Sequence, residues 1–142
     1  MFNLHKTLAA DTFDIGAFQL CTARLMNNSR LPWVILVPQR NGIRESYELS
    51  AQDQALLLAE SCLVSQSLMR EFKGDKLNVG SLGNLVPQLH VHHVVRYSLD
   101  PVWPNPVWGN LESKPYTFDT KKTMLKRLRK LFATESDHFI ST

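Results

Sequence analysis

The chain has 142 residues, 44% of them hydrophobic and 20% charged, with a formal net charge of +3. That length suits one domain around one core rather than two, and the composition is that of an ordinary globular protein. The mild positive balance is compatible with a phosphate-bearing partner, a nucleotide as readily as a nucleic acid, and singles out neither. The two cysteines, Cys21 and Cys62, offer neither a metal-type spacing nor a disulfide framework. No charged start followed by a long apolar run opens the chain, and no stretch approaches about 18 apolar residues, so neither a signal peptide nor a membrane span is expected. A cytoplasmic location is the expectation.

In chain order, residues 1–12 carry a short helical pattern through Leu4, Leu8 and Ala9, and Asp14-Ile15-Gly16 reads as a turn. Residues 17–26 alternate as a strand does, Asn27 to Arg30 form a turn cluster, and residues 33–37, closed by Pro38, read as a short buried strand. These two strands predict a hairpin. A loop follows over residues 39–49. Ser50 is a helix N-cap with Asp53 at the third helical position, in the manner of a capping box. Leu56, Leu57, Leu63, Val64, Leu68 and Phe72 then recur at helical spacing, which predicts a helix from Ala51 to Phe72, stopped by Gly74. Residues 76–82 read as a strand, Gly83-Asn84 as a turn, and Pro87 as the start of another strand over residues 88–95. Three prolines and two tryptophans between residues 100 and 109 rule out a regular element there. Residues 119–132 predict a basic amphipathic helix with Met124, Leu125, Leu128, Leu131 and Phe132 on one side. Hairpin, long helix, hairpin and terminal helix together indicate an α+β fold with an antiparallel sheet.

The chemistry concentrates at Gln88-Leu89-His90-Val91-His92-His93. Three of the chain's five histidines lie here. On a strand, Gln88, His90 and His92 would share one face at period two, with Leu89 and Val91 turned to the core. Three readings are open. The imidazoles are packing residues, or a metal pair, or a nucleophile with a phosphate contact. Zinc would need a third and usually a fourth ligand, and no Cys, Asp or Glu sits at a companion spacing, so no metal is expected. A neutral histidine can attack phosphorus if one ring nitrogen is held as N–H by a fixed acceptor. The run from Asn78 to Pro87, with two glycines, two amides and a hydroxyl, favours that third reading, since such backbone can cradle anions. His93 falls on the apolar face and reads as a satisfied structural histidine or as the mark of a bulge.

Asn78-Val79-Gly80, Gly83-Asn84 and Val86-Pro87-Gln88-Leu89-His90-Val91-His92, followed by apolar residues and Arg96, resemble the histidine-triad (HIT) superfamily of nucleotide hydrolases and transferases. Leu25-Met26-Asn27 with residues 32–38 resembles its nucleotide-binding hairpin, and Trp103 and Trp108 resemble the Trp/Pro segment of some members. The match covers roughly residues 15–110. It implies a single HIT-like domain over residues 1–142, with about five strands, a long helix on one face and a C-terminal helical extension over about 117–134. It also implies a homodimer acting on a nucleotide substrate without a cofactor, a membrane or, by the weakness of the basic signal, a nucleic acid.

Carried over by position, His90 is the nucleophile toward an α-phosphate and His92 a phosphate contact. Gln88 orients its neighbours where the family's first histidine stands. Asn27 holds the ribose hydroxyls, and Asn78, Gly83 and Asn84 lie near the phosphates. The implied reaction is hydrolysis of a nucleoside 5′-phosphate derivative, a dinucleoside polyphosphate as in the diadenosine polyphosphate hydrolases or a phosphoramidate, through a covalent nucleotidyl-histidine. Glutamine cannot relay a proton near neutral pH, and Trp33 stands where many members have another histidine. The alternative is therefore a nucleotide-binding regulatory module with little turnover.

Overall fold

The computed structural model describes residues 1–142. Its elements are α1 (Lys6–Asp11), β1 (Thr12–Ala17), β2 (Cys21–Met26), β3 (Trp33–Pro38), α2 (Ala51–Phe72), β4 (Lys76–Gly80), β5 (Val91–Arg96), α3 (Phe118–Glu135) and β6 (Ile140–Ser141), with a single 3-10 turn at Ser46–Glu48. Six strands form one antiparallel sheet in the order β4-β5-β3-β2-β1-β6. The α+β class and the long helix match the sequence reading. No helix is long and apolar enough to cross a membrane.

β3 is the central strand, and all six of its residues are buried. Because side chains alternate across a sheet, it feeds two separate apolar clusters. Val34 and Leu36 join the larger cluster, with Leu57, Val64 and Leu68 of α2 and Leu125, Leu128 and Phe132 of α3. Trp33, Ile35 and Val37 join a smaller one on the opposite face, with Leu8 of α1, Val94 of β5, and Val86 and Val107 from loops. The helices thus cover one face, leaving the other to α1 and the C-terminal loop. His92 pairs with Ile35 across the β3–β5 ladder. It therefore lies on the thinly covered face.

α2 spans the predicted residues, but its ends differ in detail. The Ser50 side chain accepts from the Asp53 N–H at 3.1 Å, as a cap should. The Asp53 carboxylate is held by the Arg40 guanidinium at 2.7 and 3.1 Å, so the box is only half formed. The helix ends at Lys73, in the left-handed region at φ 51°, one residue before Gly74. Midway, the buried Glu60 carboxylate accepts from the N–H groups of Leu20 and Cys21 at 2.6 and 3.1 Å. Those bonds pin the β1–β2 turn to α2. Burial raises the pKa of Glu60, and burial beside Glu60 pushes the Cys21 thiol far up.

The sequence expectations fail where a turn signal was really close packing. Asp14-Ile15-Gly16 is strand, with a register shift between Asp14 and Gly16. A Cβ at Gly16 would overlap the Phe139 ring and the Ile140 carbonyl, so this glycine lets β6 approach β1. The expected strand over 17–26 is two pieces, because the Phe18 N–H turns back to the Cys21 carbonyl at 2.8 Å. The expected strand over 76–82 stops at Gly80, and α3 runs slightly further at both ends than expected. β5 begins only at Val91, since the Leu89 N–H bonds to the Ile43 carbonyl at 3.0 Å instead of joining the ladder. Of the six Lys/Arg of residues 119–132, Arg127 pairs with Glu71, Arg129 donates to the carbonyls of Asp14 and Ile15, and Lys121 sits 4.8 Å over Phe13.

The end of β5 is fixed by a buried ion pair. Arg96 and Asp100 have side chains 1% and 2% exposed and meet through two bonds of 2.8 and 3.1 Å. Arg96 also donates to the Asn78 Oδ1 at 2.8 Å, and hydrogen bonds from Arg96, above all, hold the Asp100 carboxyl below its usual range. Removing one partner would leave a buried charge uncompensated. Asp100→Ala is expected to lower unfolding free energy by about 3–5 kcal/mol in urea titrations, and a loss under about 1 kcal/mol would show that the pair does not hold the strand end.

Candidate active site

His90 and His92 line a cavity of about 480 Å³ on the thinly covered face. Their rings meet edge-on with centroids 5.0 Å apart. Both residues are more than nine-tenths buried, at 6% and 7% exposure. α1 contributes Thr7, Leu8 and Asp11 to the walls, the strands contribute Met26 and Ile35, and the C-terminal loop contributes Trp108. The remaining rim is the segment Leu82 to Val86, which includes Gly83 and Asn84.

Hydrogen bonding fixes the two imidazoles in opposite tautomers. His90 Nδ1 lies 2.7 Å from the Gln88 carbonyl oxygen. A carbonyl can only accept, so Nδ1 carries a hydrogen, and in the neutral ring the lone pair is on Nε2. The indole N–H of Trp33 donates to His92 Nδ1 at 2.9 Å. An indole can only donate, so in His92 the lone pair is on Nδ1 and the hydrogen on Nε2. One ring thus offers a nucleophilic nitrogen, its neighbour an N–H donor. Burial, then the nearby His90 and His93, push the His92 pKa down to about 3, so this ring is neutral at pH 7.

His93 is on the helix side of β5, fully buried. Its Nδ1 faces the Val34 carbonyl at 3.3 Å and its Nε2 the Ser61 hydroxyl at 2.7 Å. Burial lowers its pKa to about 4, too weak a base to activate Ser61 near neutral pH. It is the satisfied structural histidine that its place on the apolar face implied.

The rim segment is unusual in its backbone. The N–H groups of Leu82 to Val86 donate to no acceptor within the protein. Gly83 takes a left-handed φ of 73°, which a residue with a side chain would resist, and this curls the segment. Leu82, Asn84 and Leu85 are exposed, so these amides are open to water or to a ligand at the cavity mouth.

The structure regroups the expected site residues. His90, His92, Gly83 and Asn84 share the cavity. Three others do not line it. Asn27 Oδ1 accepts from the Tyr116 N–H at 2.9 Å, which ties the chain leading into α3, while its Nδ2 bonds to no protein group. Asn78, on β4, accepts from Arg96 of β5, as above. The Gln88 side chain turns to the N-terminal segment, because residue 88 precedes β5 and the period-two pattern does not extend to it. Asp11 was missed by sequence reasoning, although it is the one charged side chain on the cavity wall. Nothing in its local sequence marks it, since its place depends on where α1 packs. No group of three or more His, Cys, Asp or Glu side chains is gathered in a way that could hold a metal ion.

The comparison with known families is decisive here. The HIT domain family matches residues 8–99. The chain is a HIT-domain protein. The domain belongs to a nucleotide-binding superfamily that includes nucleotide hydrolases. A solved histidine triad protein from Marinobacter aquaeolei VT8 shares 50% identity over 96% of this chain and 99% of its own, with a TM-score of 0.92. A histidine triad protein from Sinorhizobium meliloti 1021 shares 44% identity over 92% of this chain and 96% of its own, with a TM-score of 0.88. One from Bradyrhizobium japonicum shares 39% identity over 91% and 96%, with a TM-score of 0.87. No protein with a curated description matches.

The depressed pKa values of this HIT-domain protein set a direction for stability against pH. An unfolded chain protonates its histidines as pH falls through about 6.5, whereas folded His93 and His92 wait until about 4 and about 3. Their contribution is complete above about pH 7 and is lost as pH falls between those limits, by about 1.4 kcal/mol per pH unit per histidine. Urea midpoints measured at intervals from pH 7 to 4.5 should therefore fall steadily, and less steeply in His93→Leu after correction for its lower starting stability. A flat profile in the wild type would mean that these rings are charged in the folded protein.

Proposed function

We propose that this HIT-domain protein hydrolyses a nucleoside 5′-phosphate derivative at its α-phosphate, with a dinucleoside polyphosphate as the favoured substrate class. The observation that carries this is the pairing of a free Nε2 on His90 with an Nε2–H on His92 in one cavity. His90 Nε2 attacks the α-phosphorus and the bond to the leaving group breaks, giving a covalent nucleotidyl-histidine. Positive charge developing on the His90 ring is met by the Gln88 carbonyl at Nδ1–H. The His92 Nε2–H and the free amides of the Gly83 segment bind phosphoryl oxygens. Water then cleaves the P–N bond, releasing the mononucleotide and restoring His90.

The leaving group follows from proton chemistry. Neutral His92 would have to become imidazolate to act as an acid, and the Gln88 amide cannot relay a proton. A phosphate leaving group departs without a proton, unlike an amine. Anhydrides therefore suit the cavity better than phosphoramidates. Asp11 supplies an acceptor for hydroxyl groups of a nucleoside on the α1 wall, the role expected of Asn27. The rival reading, a nucleotide-binding module with little turnover, draws on the same absence of an acid.

The two readings separate in one experiment. His90→Ala should reduce hydrolysis of diadenosine triphosphate by at least about a hundredfold while leaving AMP binding and the melting temperature near wild type. Acid-labile labelling of the wild type by nucleotide, absent in the variant, would support the covalent path. Activity within a few-fold of wild type in His90→Ala would refute the nucleophile. AMP binding without turnover or labelling in the wild type would favour the binding module.

We also infer a homodimer built on the β4 side of the sheet. β4 is an edge strand with Val79 half exposed, and Leu58 of α2, 66% exposed, lines a groove together with Ser81 and Val91. An unpaired edge with apolar neighbours favours self-pairing across a two-fold axis. Sedimentation should give twice the monomer mass for the wild type and a monomer for Val79→Asp combined with Leu58→Glu. A wild-type monomer at micromolar concentration would rule the interface out.

A further inference from the structure

Gln88 commits its whole side-chain amide to the N-terminal segment. Oε1 accepts from the His5 N–H at 2.8 Å, and Nε2 donates to the Asn3 carbonyl at 2.9 Å. Both partners are backbone groups, so the two bonds fix the path of residues 3–5 whatever side chains they carry. His5 is in turn the residue at which α1 starts. Its Nδ1 accepts from the Thr7 N–H at 3.2 Å, and its carbonyl accepts from the Ala9 N–H at 3.0 Å. A six-residue helix has no stability of its own, so its position depends on what it is tied to and packed against. Its far end is held by the run into β1 and by the Asn27 N–H donated to the Asp11 carbonyl at 3.0 Å, and its middle by Leu8 in the small apolar cluster. Ahead of it, Phe2 and Leu4 pack on that cluster and Asn41 bonds Met1 and Asn3, while the bond from His5 to Gln88 is the one at the residue where the helix starts.

Glutamine suits this task. It presents one donor and one acceptor side by side on a single carbon, and meets two backbone groups two residues apart. An imidazole also offers one of each, but on opposite edges of a ring. Meanwhile the Gln88 carbonyl holds the His90 tautomer. Residue 88 therefore joins the nucleophile, through its backbone, to the wall bearing Thr7, Leu8 and Asp11, through its side chain.

We propose that Gln88 is a positioning residue that clamps residues 3–5 so that α1 closes one wall of the nucleotide cavity, making position 88 a determinant of nucleotide affinity rather than of proton delivery. This rests on the nucleotide reading of the cavity. The clamp itself is a property of the fold and can be tested separately.

The test uses the full chain, Gln88→Ala, Gln88→Glu, a deletion of residues 1–5, and the deletion combined with Gln88→Ala. Hydrogen exchange over residues 5–11 should quicken at least about tenfold in Gln88→Ala. AMP dissociation constants by calorimetry, and KM for diadenosine triphosphate, should rise by about tenfold, with kcat within about threefold and an unchanged pH profile. Gln88→Glu keeps the acceptor and loses the donor, so it should fall between. The deletion should weaken AMP binding similarly, and adding Gln88→Ala to it should cost nothing more. Unchanged exchange over residues 5–11 in Gln88→Ala overturns the clamp, whatever the ligand. A fall in kcat with AMP affinity unchanged, or a shifted pH profile, overturns the affinity role in favour of chemistry. Wild-type protein that binds no AMP but shows Gln88-dependent exchange would sink the nucleotide reading and leave the clamp standing.

Discussion

The Trp33 indole N–H donated to His92 connects the core of this protein to its chemistry. Trp33 is at the start of the central strand, and β3 is ordered by burial on both faces. The rigidity of that strand is passed directly to an imidazole, which is held neutral with its N–H on Nε2. The partner bond, from His90 Nδ1 to the Gln88 carbonyl, comes from irregular backbone just ahead of β5. Two unlike supports, one side chain and one main chain, thus give two adjacent histidines opposite capacities. Such a pair is pre-organised: each ring's hydrogen is fixed by a bond within the protein.

β5 buries an unusual amount of polarity for a strand next to the sheet centre. His92, His93 and Arg96 are all buried on it. Each is matched by a dedicated partner: Trp33, Ser61 with the Val34 carbonyl, and Asp100 with Asn78. Those partners come from β3, α2, β4 and the loop after β5. The polar strand therefore binds its neighbours into one arrangement, since a slip of one residue would leave buried groups unpaired. The cavity inherits its geometry from that constraint.

The wall opposite is of a different kind. α1 is short, and its N-cap residue, His5, is bonded to Gln88, a residue outside the ladder. The cavity of this HIT-domain protein is thus bounded by a floor of strand residues, the exposed Leu82–Val86 rim, and α1. An indole, Trp108, stands edge-on to His92 at 5.5 Å and completes the enclosure. The resulting site sets one free ring nitrogen beside one ring N–H, with Asp11 as its single carboxylate.

Much of this was legible in the sequence, and the reason is local. The helical spacing between Ala51 and Phe72, the apolar run of β3 and the alternation around the histidines are encoded by periods that survive any tertiary arrangement, so the α+β class, the limits of α2 and the buried place of His93 followed from them. The motif around His90 and His92 likewise pointed to the family that the comparisons show. Tertiary structure alone decided which atoms meet. Gly16 read as a turn because close approach of β6 and a turn call for the same residue. Gln88 read as a strand-face neighbour of His90 because nothing local reveals that Leu89 bonds to Ile43. Asn27 and Asn78 carry amides that any ligand could use, and it is the positions of Tyr116 and Arg96 that occupy their oxygens. Asp11 enters the cavity only because α1 folds over it. A sequence states periodicity and chemical type; which partner each polar group takes is settled by contacts between residues far apart in the chain.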